Sequence, residues 1–361
     1  MIFSAFQNIQ ITGMSVAVPE KQIPVESFNE VFGEEAVTGF SEMTGVKALY
    51  RAVPQQTASD LGYEAARNLF NKQGINPDDI GILVFVTQKP DFRSPSTSYL
   101  LHKRLGLNRE CSCFDINLAC SGFIFGLEAV LSMLKNSESK TALLITGDTS
   151  VRTLSPMDRT MIMLFGDSGT ATLLEKSSNP GTIYTAMRTD GSKFKSIITP
   201  SGAYRNMNAP VERELWDDGI LRSDYDTHMK GMEVFGFSIT EVPLLIKDFM
   251  EKLGTTTDTY DCFALHQANM FIIKQITRKV KIPVEKIPIS IDRFGNNSSN
   301  SVPLVLADNF GNMDSGSIRT MMSGFGAGLS WGCADAVLDI SRIYPIVHTD
   351  AWYQESFRGL V

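Results

Sequence analysis

The sequence is short of the features that would take it away from ordinary globular proteins. Its 361 residues include only five cysteines, at positions 111, 113, 120, 262 and 333. So few, so irregularly spaced, exclude a disulfide framework, and the Cys111-Ser112-Cys113 pair lacks the spacing of a zinc ligand pair. Only four histidines are present, and they are scattered, so no histidine-rich metal site is expected. No apolar run approaches the ~20 residues that cross a bilayer; IGILVFV, ending at Val86, is among the longest. The opening MIFSAFQNIQITG has no basic stretch followed by a continuous apolar one, which reads as no signal peptide. Long charge blocks, low-complexity tracts and proline-rich linkers are absent too.

What is present is a chain with 43% hydrophobic and 20% charged residues, enough to bury a sizeable core without disulfides or metal. The formal net charge of −7 argues against nucleic acid and anionic membrane surfaces as partners. Together these features predict a reduced, cytoplasmic protein of about two domains.

Strand-like and helix-like segments alternate along the chain. Residues 8–19, 77–87, 112–119, 141–148 and 169–175 read as strands. Residues 58–74, 96–106 and 122–136 read as helices, the last with Ile124, Leu127, Leu131 and Leu134 on one buried face. A loop-rich middle spans about 187–229. Helices then follow over 233–254 and 268–280, and a strand over 260–267. The stretch from Ile287 to Gly311 reads as strand, loop and helix, and residues 318–332 and 334–340 close the set. Two halves with the same order of elements, 1–175 and 176–361, predict a layered α/β fold made of two related units.

Several polar residues sit where strands give way to helices. Cys120, in DINLACSGFIFG, stands at a helix start, where free backbone amides and the helix dipole favour a thiolate. Free cysteine is also among the most buried residue types, so on this stretch alone inert packing stays open. His266, in FALHQAN, lies at the C-terminal end of a strand, the edge where α/β folds gather functional groups. Taken singly, a structural role is as open for it as a functional one, with Gln267 and Asn269 available to orient the imidazole. The loop FGNNSSNSVP ends in ordinary capping chemistry, with Asn300 or Ser301 as N-cap and Pro303 in the first turn, which leaves Asn296 and Asn297 unexplained. SGFGAGLSWG, with glycines at 324, 326, 328 and 332, is followed by more strand. It suits a backbone that comes close to a substrate better than a dinucleotide loop.

Taken together, DINLACSGF, ALHQAN, DRFGNNSSNSVP and GFGAGLSWG, in this order and at these separations, resemble β-ketoacyl-acyl-carrier-protein synthase III, a condensing enzyme of the thiolase superfamily. MDRTMIMLFGDSGTATLL at 157–174 resembles the same family, and the likeness covers roughly residues 8–340. The resemblance implies a thiolase-like layered αβαβα fold, a homodimer, and substrates carried on coenzyme A or on acyl carrier protein, with no metal or redox cofactor. It implies Cys120 as the acyl-accepting nucleophile, and His266 and Asn296 as donors to the thioester oxygen of a malonyl group. The backbone amides of Cys120 and Ala327 would form an oxyanion hole. Arg159, Asn269, Gly326 and Gly328 would lie along the substrate and carrier path.

Departures from the family pattern are as informative. Ala327 stands where the family usually has glycine. Arg159 matches an arginine that stacks on adenine in relatives that take acyl-CoA, but the partner tryptophan falls near Gly39. Two basic residues associated with the carrier are replaced by Phe271 and Gly236. An aromatic residue lent to the partner's acyl pocket corresponds to Ser94, which suggests a wider pocket. Residues 341–361 extend beyond the usual end and read as a surface tail. Two alternatives remain: acyl transfer to a hydroxyl or amine without decarboxylation, and a Cys-His-Asn protease. The protease lacks support, because Ser121 and Gly122 replace the aromatic residue that its cysteine signature carries.

Overall fold

The computed structural model describes residues 1–355, and two mixed sheets form its frame. Their strands are, in chain order, β1 (Ile2–Gln7), β2 (Ile9–Val18), β3 (Ile80–Val86), β4 (Ser112–Ile116), β5 (Thr141–Asp148), β6 (Ser168–Lys176), β7 (Thr182–Thr189), β8 (Cys262–Leu265), β9 (Ser317–Gly326), β10 (Ser330–Asp339) and β11 (Val347–His348). One sheet has the order β11-β2-β6-β5-β3-β4, the other β1-β7-β10-β9-β8. The main helices are α1 (Glu34–Thr44), α2 (Ala58–Gln73), α3 (Thr97–Leu105), α4 (Gly122–Lys135), α5 (Gly231–Leu253), α6 (Met270–Val280) and α7 (Ser301–Phe310).

Local chemistry explains these boundaries. In α2, Thr57 and Asp60 form a reciprocal capping box and Gly74 takes the left-handed conformation at the end. Strand β3, parallel to both its neighbours, is buried on both faces, as its continuous apolar run requires. Parallel neighbours need crossover helices, so β3, α3, β4, α4 and β5 follow one another as alternating elements.

Helices α4 and α7 fill the space between the sheets. Helix α4 packs on β3 and β5 on one side and on β9 and β10 on the other. Its Phe123, Ile124, Leu127, Val130, Leu131 and Leu134 are all fully buried, and its other face, with Phe125, Glu128 and Ser132, is half-buried. Gly126 lets it lie close to the first sheet, since a Cβ there would come within 2.7 Å of Val86 Cγ2. Gly332 does the same for the second sheet, where a Cβ would come within 2.7 Å of Ile124 Cγ2. Helix α7 packs likewise on β2 and β6 and on β8 and β9. With α2 and α3 outside the first sheet and α5 and α6 outside the second, the layers run α, β, α, β, α, as the thiolase-like reading requires.

The structure departs from the sequence reading in several places, among them helix α1, which had no expected counterpart. Strands β1 and β7 were not foreseen: β1 lies at the amino end, β7 follows the midpoint connection, and the two pair with each other. The Ile287–Ser290 stretch is not a strand and leads into a short helix, Ile291–Phe294. Asn300 does not cap α7 with its side chain. It instead accepts a hydrogen bond from the Thr146 hydroxyl and donates to Ser168 O at 2.8 Å, tying the second half to the first.

Another departure concerns the C-terminal extension. Rather than a surface tail, it adds β11 to the first sheet, parallel to β2. Buried Gln56 donates to Thr349 O at 2.8 Å. Tyr353 N donates to Asp60 Oδ1 at 2.9 Å, and its ring covers the Arg104 guanidinium that pairs with Asp60. Residues 356–361 of the expected tail lie outside the described residues. The midpoint division near residue 175 is therefore crossed at both ends, since β1 joins the second sheet and β11 the first. Among the described residues no helix is long and apolar enough to cross a membrane.

Because Leu127 is fully buried in the layer that both sheets share, Leu127→Ala should cost ~2–5 kcal/mol of unfolding free energy. Urea denaturation followed by circular dichroism measures it. A loss below ~1 kcal/mol would show that α4 is not the common core.

Candidate active site

Strand β4 ends at Ile116 and the chain turns sharply before α4. Gly122 N donates to Ala119 O at 2.6 Å, which closes this turn with half-buried Cys120 inside it. Gly122 has no room for a side chain, since a Cβ would meet Val86 Cγ1 at 2.6 Å and Ser299 Cβ at 3.3 Å. From the other half, β9 presses its bare backbone onto the same turn. A Cβ on Gly326 would lie 2.6 Å from Cys120 Cβ and 3.2 Å from its Sγ; one on Gly324 would lie 3.0 Å from Cys120 O. Residues two apart share a strand face, so this glycine pair gives β9 one smooth side against the cysteine.

His266 follows β8 directly. Its N–H donates to Ser323 O at 2.8 Å, and its ring stands edge-on to Phe325 with centroids 5.1 Å apart. The imidazole is buried, and Nδ1 has no hydrogen-bond partner among the described residues.

Asn296 is held by its backbone, its N–H donating to Leu164 O at 2.8 Å and its carbonyl accepting from Gly166 N at 3.1 Å. Its side-chain Oδ1 accepts from Ser298 N at 2.9 Å. That bond fixes the amide, because only the oxygen can face an N–H. Nδ2 then lies toward Ala268 O, 3.5 Å away, in the segment that follows His266. Ser298 takes a left-handed backbone, φ +51°, and brings its hydroxyl to 3.9 Å from Cys120 Sγ. Cys120, Ser298, Asn296, Ala268 and His266 thus form one connected set drawn from both halves.

Burial dominates the electrostatics. It pushes the Cys120 thiol up to about 12, helped by the Asp148 charge and opposed by the Ser298 hydroxyl. It pulls the His266 imidazole down to about 3. At neutral pH both groups are uncharged. The thiolate that the helix start alone would favour is outweighed by desolvation, so sulfur must lose its proton as it attacks.

The remaining predicted residues fall in two places. Arg159 and Gly39 line one cleft of 790 Å³, together with Phe32, Phe40, Glu34 and Glu35. Asn269 and Gln267 do not orient the imidazole. Asn269 caps α6, its Oδ1 accepting from Ile272 N at 2.8 Å. Gln267 Nε2 donates to Leu265 O at 2.9 Å and its Oε1 accepts from Ser290 N at 3.1 Å, which ties β8 to the segment before residue 291. Ala327 and Gly328 lie in the half-buried turn between β9 and β10, Gly328 with φ +137°. Ser94 precedes a cis proline in an exposed loop. Sequence reasoning missed Ser298; its only signal was its place in a polar loop whose two asparagines capping did not explain.

Comparison with known proteins supplies a family context. Residues 114–191 match the family described as 3-oxoacyl-[acyl-carrier-protein (ACP)] synthase III, and residues 250–337 match that family's C-terminal domain. A β-ketoacyl-[acyl-carrier-protein] synthase III of Xanthomonas campestris is 31% identical over 327 residues, 90% of this chain and 97% of the relative. One from Clostridium perfringens is 31% identical over 331 residues, 91% of this chain and 98% of the relative. The crystal structure of a 3-oxoacyl-(acyl-carrier protein) synthase from Burkholderia xenovorans superposes with a TM-score of 0.89 at 32% identity, covering 96% of this chain and 99% of that one.

With its thiol held up to about 12, Cys120 should be alkylated by iodoacetamide at a rate that climbs from about pH 7 to about pH 10 without levelling off. Peptide mass spectrometry of the labelled protein reads the rate. A plateau near neutral pH would reveal a standing thiolate and overturn the neutral-site description.

Proposed function

This chain belongs to the 3-oxoacyl-[acyl-carrier-protein] synthase III family, and from that premise we propose how its own residues carry out the condensation. It is an acyltransferase of the condensing type. Cys120 Sγ attacks the carbonyl of an acyl thioester, the C–S bond to the carrier breaks, and the departing thiol leaves with the proton that sulfur gave up. A malonyl thioester then enters. Its carbonyl oxygen accepts hydrogen bonds from His266 and from Asn296 Nδ2. As CO2 leaves, the electron pair collects on that oxygen as an enolate, which the two donors stabilise. The enolate carbon attacks the acyl-Cys120 carbonyl, and the amides of Cys120 and Ala327 receive the second oxyanion. Its collapse expels the Cys120 sulfur, which takes up a proton from solvent, and frees a β-ketoacyl thioester. The chemistry rests on proximity and charge stabilisation and calls on no metal or redox cofactor.

The observation that carries this reading is the continuous link from Cys120 through Ser298 and Asn296 to the His266 segment. A neutral imidazole and a carboxamide are suited to donating to a developing enolate. Acyl transfer without decarboxylation would use Cys120 alone, and retention of both donors favours condensation. The protease reading has no further support, because nothing in the set supplies a charged imidazole to a cysteine.

Acyl carrier protein is the proposed partner, and α6 supplies a surface for it. Phe271, Lys274 and Arg278 are exposed along one face of the helix, with Lys281 just beyond its end. None of these three cations makes a salt bridge among the described residues. On a chain of net charge −7 such a stripe suits an acidic carrier. At the position of the replaced basic residue, Phe271 stacks on Phe235 with centroids 5.4 Å apart, an apolar contact instead of an ionic one. In the Arg159 cleft, Glu34 and Glu35 would face the phosphates of coenzyme A, which supports a carrier-bound acyl donor. A homodimer is proposed as well, since β4 is the outermost strand of its sheet and leaves one edge open for a second copy. The reduced cytoplasm is the proposed location.

Incubation with short, branched and long acyl thioesters, on coenzyme A and on carrier, should yield an acyl adduct on Cys120 by intact mass. Added malonyl-carrier should then release CO2 and the β-keto product. Absence of any adduct would sink the reading, and an adduct without decarboxylation would turn it toward acyl transfer. Replacing both Lys274 and Arg278 by Glu should raise KM for malonyl-carrier about tenfold at low salt and leave kcat within about twofold. An unchanged KM would remove α6 from the carrier surface.

A further inference from the structure

Resting on the oxyanion reading above, we propose that Ser121 and Ser330 form a clasp that sets the spacing between the amides of Cys120 and Ala327. Both serines are buried, at 1% and 3% exposure. Their hydroxyl oxygens lie 2.7 Å apart, and Ser330 Oγ donates to Ala327 O at 2.8 Å. A carbonyl only accepts and a serine hydroxyl carries one hydrogen, so the Ser330 hydrogen belongs to Ala327. Ser121 is therefore the donor between the two hydroxyls. The result is a directed chain from the residue beside the nucleophile to the turn that supplies the second amide.

The two amides need such a link because they belong to different halves. Cys120 precedes the central helix α4, whereas Ala327 opens the turn between β9 and β10, where Gly326 pairs with Ser330. The outer side of that turn is pinned by reciprocal backbone bonds, Leu329 N to Asp190 O at 3.0 Å and Asp190 N to Leu329 O at 2.8 Å. The clasp holds the inner side. Ala327 carries a Cβ that the family pattern usually lacks, in a turn only half-buried, and the bond to its carbonyl holds the residue whose N–H is the second donor. Oxyanion stabilisation depends on donors within a few tenths of an ångström of the developing charge. Ser121 and Ser330 are accordingly positioning residues that act through the backbone and do not touch the reacting atoms.

The test compares two reactions of the same sulfur. Acylation of Cys120 by an acyl thioester passes through an oxyanion, whereas alkylation by iodoacetamide does not. Ser330→Ala should slow single-turnover acylation, followed by intact mass, about tenfold, and Ser121→Ala by a similar factor. The double variant should be no slower than the slower single one, because the two hydroxyls act as one unit. Ser330→Thr, which keeps the hydroxyl, should recover acylation to within about threefold of wild type, and alkylation should stay within about twofold throughout. Acylation unchanged in the single variants, losses that multiply in the double, or alkylation falling in step with acylation would each overturn the clasp. A wild-type enzyme that accepts no acyl group would instead overturn the function proposed above.

Discussion

The tightest constraint in the molecule is the contact between the bare backbone of β9 and the turn that holds Cys120. A single methyl group at Gly326 would collide with the cysteine, and one at Gly324 would press on its carbonyl. Two halves of a chain can bring their functional groups together this closely only if one offers no side chain at the crossing. The central helices then follow the same rule, with Gly126 and Gly332 easing α4 between the sheets. The site is therefore a product of the core packing, and the groups proposed to do the chemistry are held by the layers that hold the fold.

Burial has a second effect, on proton inventory. Desolvation keeps both the sulfur and the imidazole neutral, one because its anion is disfavoured and the other because its cation is. Neutrality suits a site that must meet negative charge twice, once on an enolate and once on a tetrahedral oxygen. A standing cation would pair with the malonyl carboxylate and stabilise the ground state that has to lose neutral CO2. In the proposed mechanism, dipolar donors, amide and imidazole N–H, would stabilise the transient oxygen charge without binding the departing group.

How much of this could be read before the coordinates depends on whether the signal was periodic or spatial. The helices α2, α4 and α6 and the strand β3 were legible because apolar spacing reports which face is buried. Cys120, His266 and Asn296 were legible only as an ordered set; each alone was ambiguous. Gln267 and Asn269 misled, since an amide beside a histidine suggests orientation of the ring, yet one serves a neighbouring loop and the other caps a helix. Strand β1 escaped notice because its partner β7 is far away in the numbering, Ile2 pairing with Met187 and Gln7 with Thr182, and short strands paired over such distances leave no local mark. Ser121, Ser298 and Ser330 were illegible for the same reason. Serine is common in turns, and only contact across the seam distinguishes these three.

The exchange of terminal strands has a consequence for the integrity of the chain. Strand β1, from the amino end, is laid into the second sheet, and β11, from the carboxyl end, into the first. The connection between the halves, around residues 177–181, lies largely at the surface. A protease that severed it would produce two fragments, each still holding a strand of the other's sheet. Such a nicked molecule stays stitched together by its ends, much as a laced seam survives a single cut thread, and its two contributions to the active site need not part company when the covalent bridge is lost.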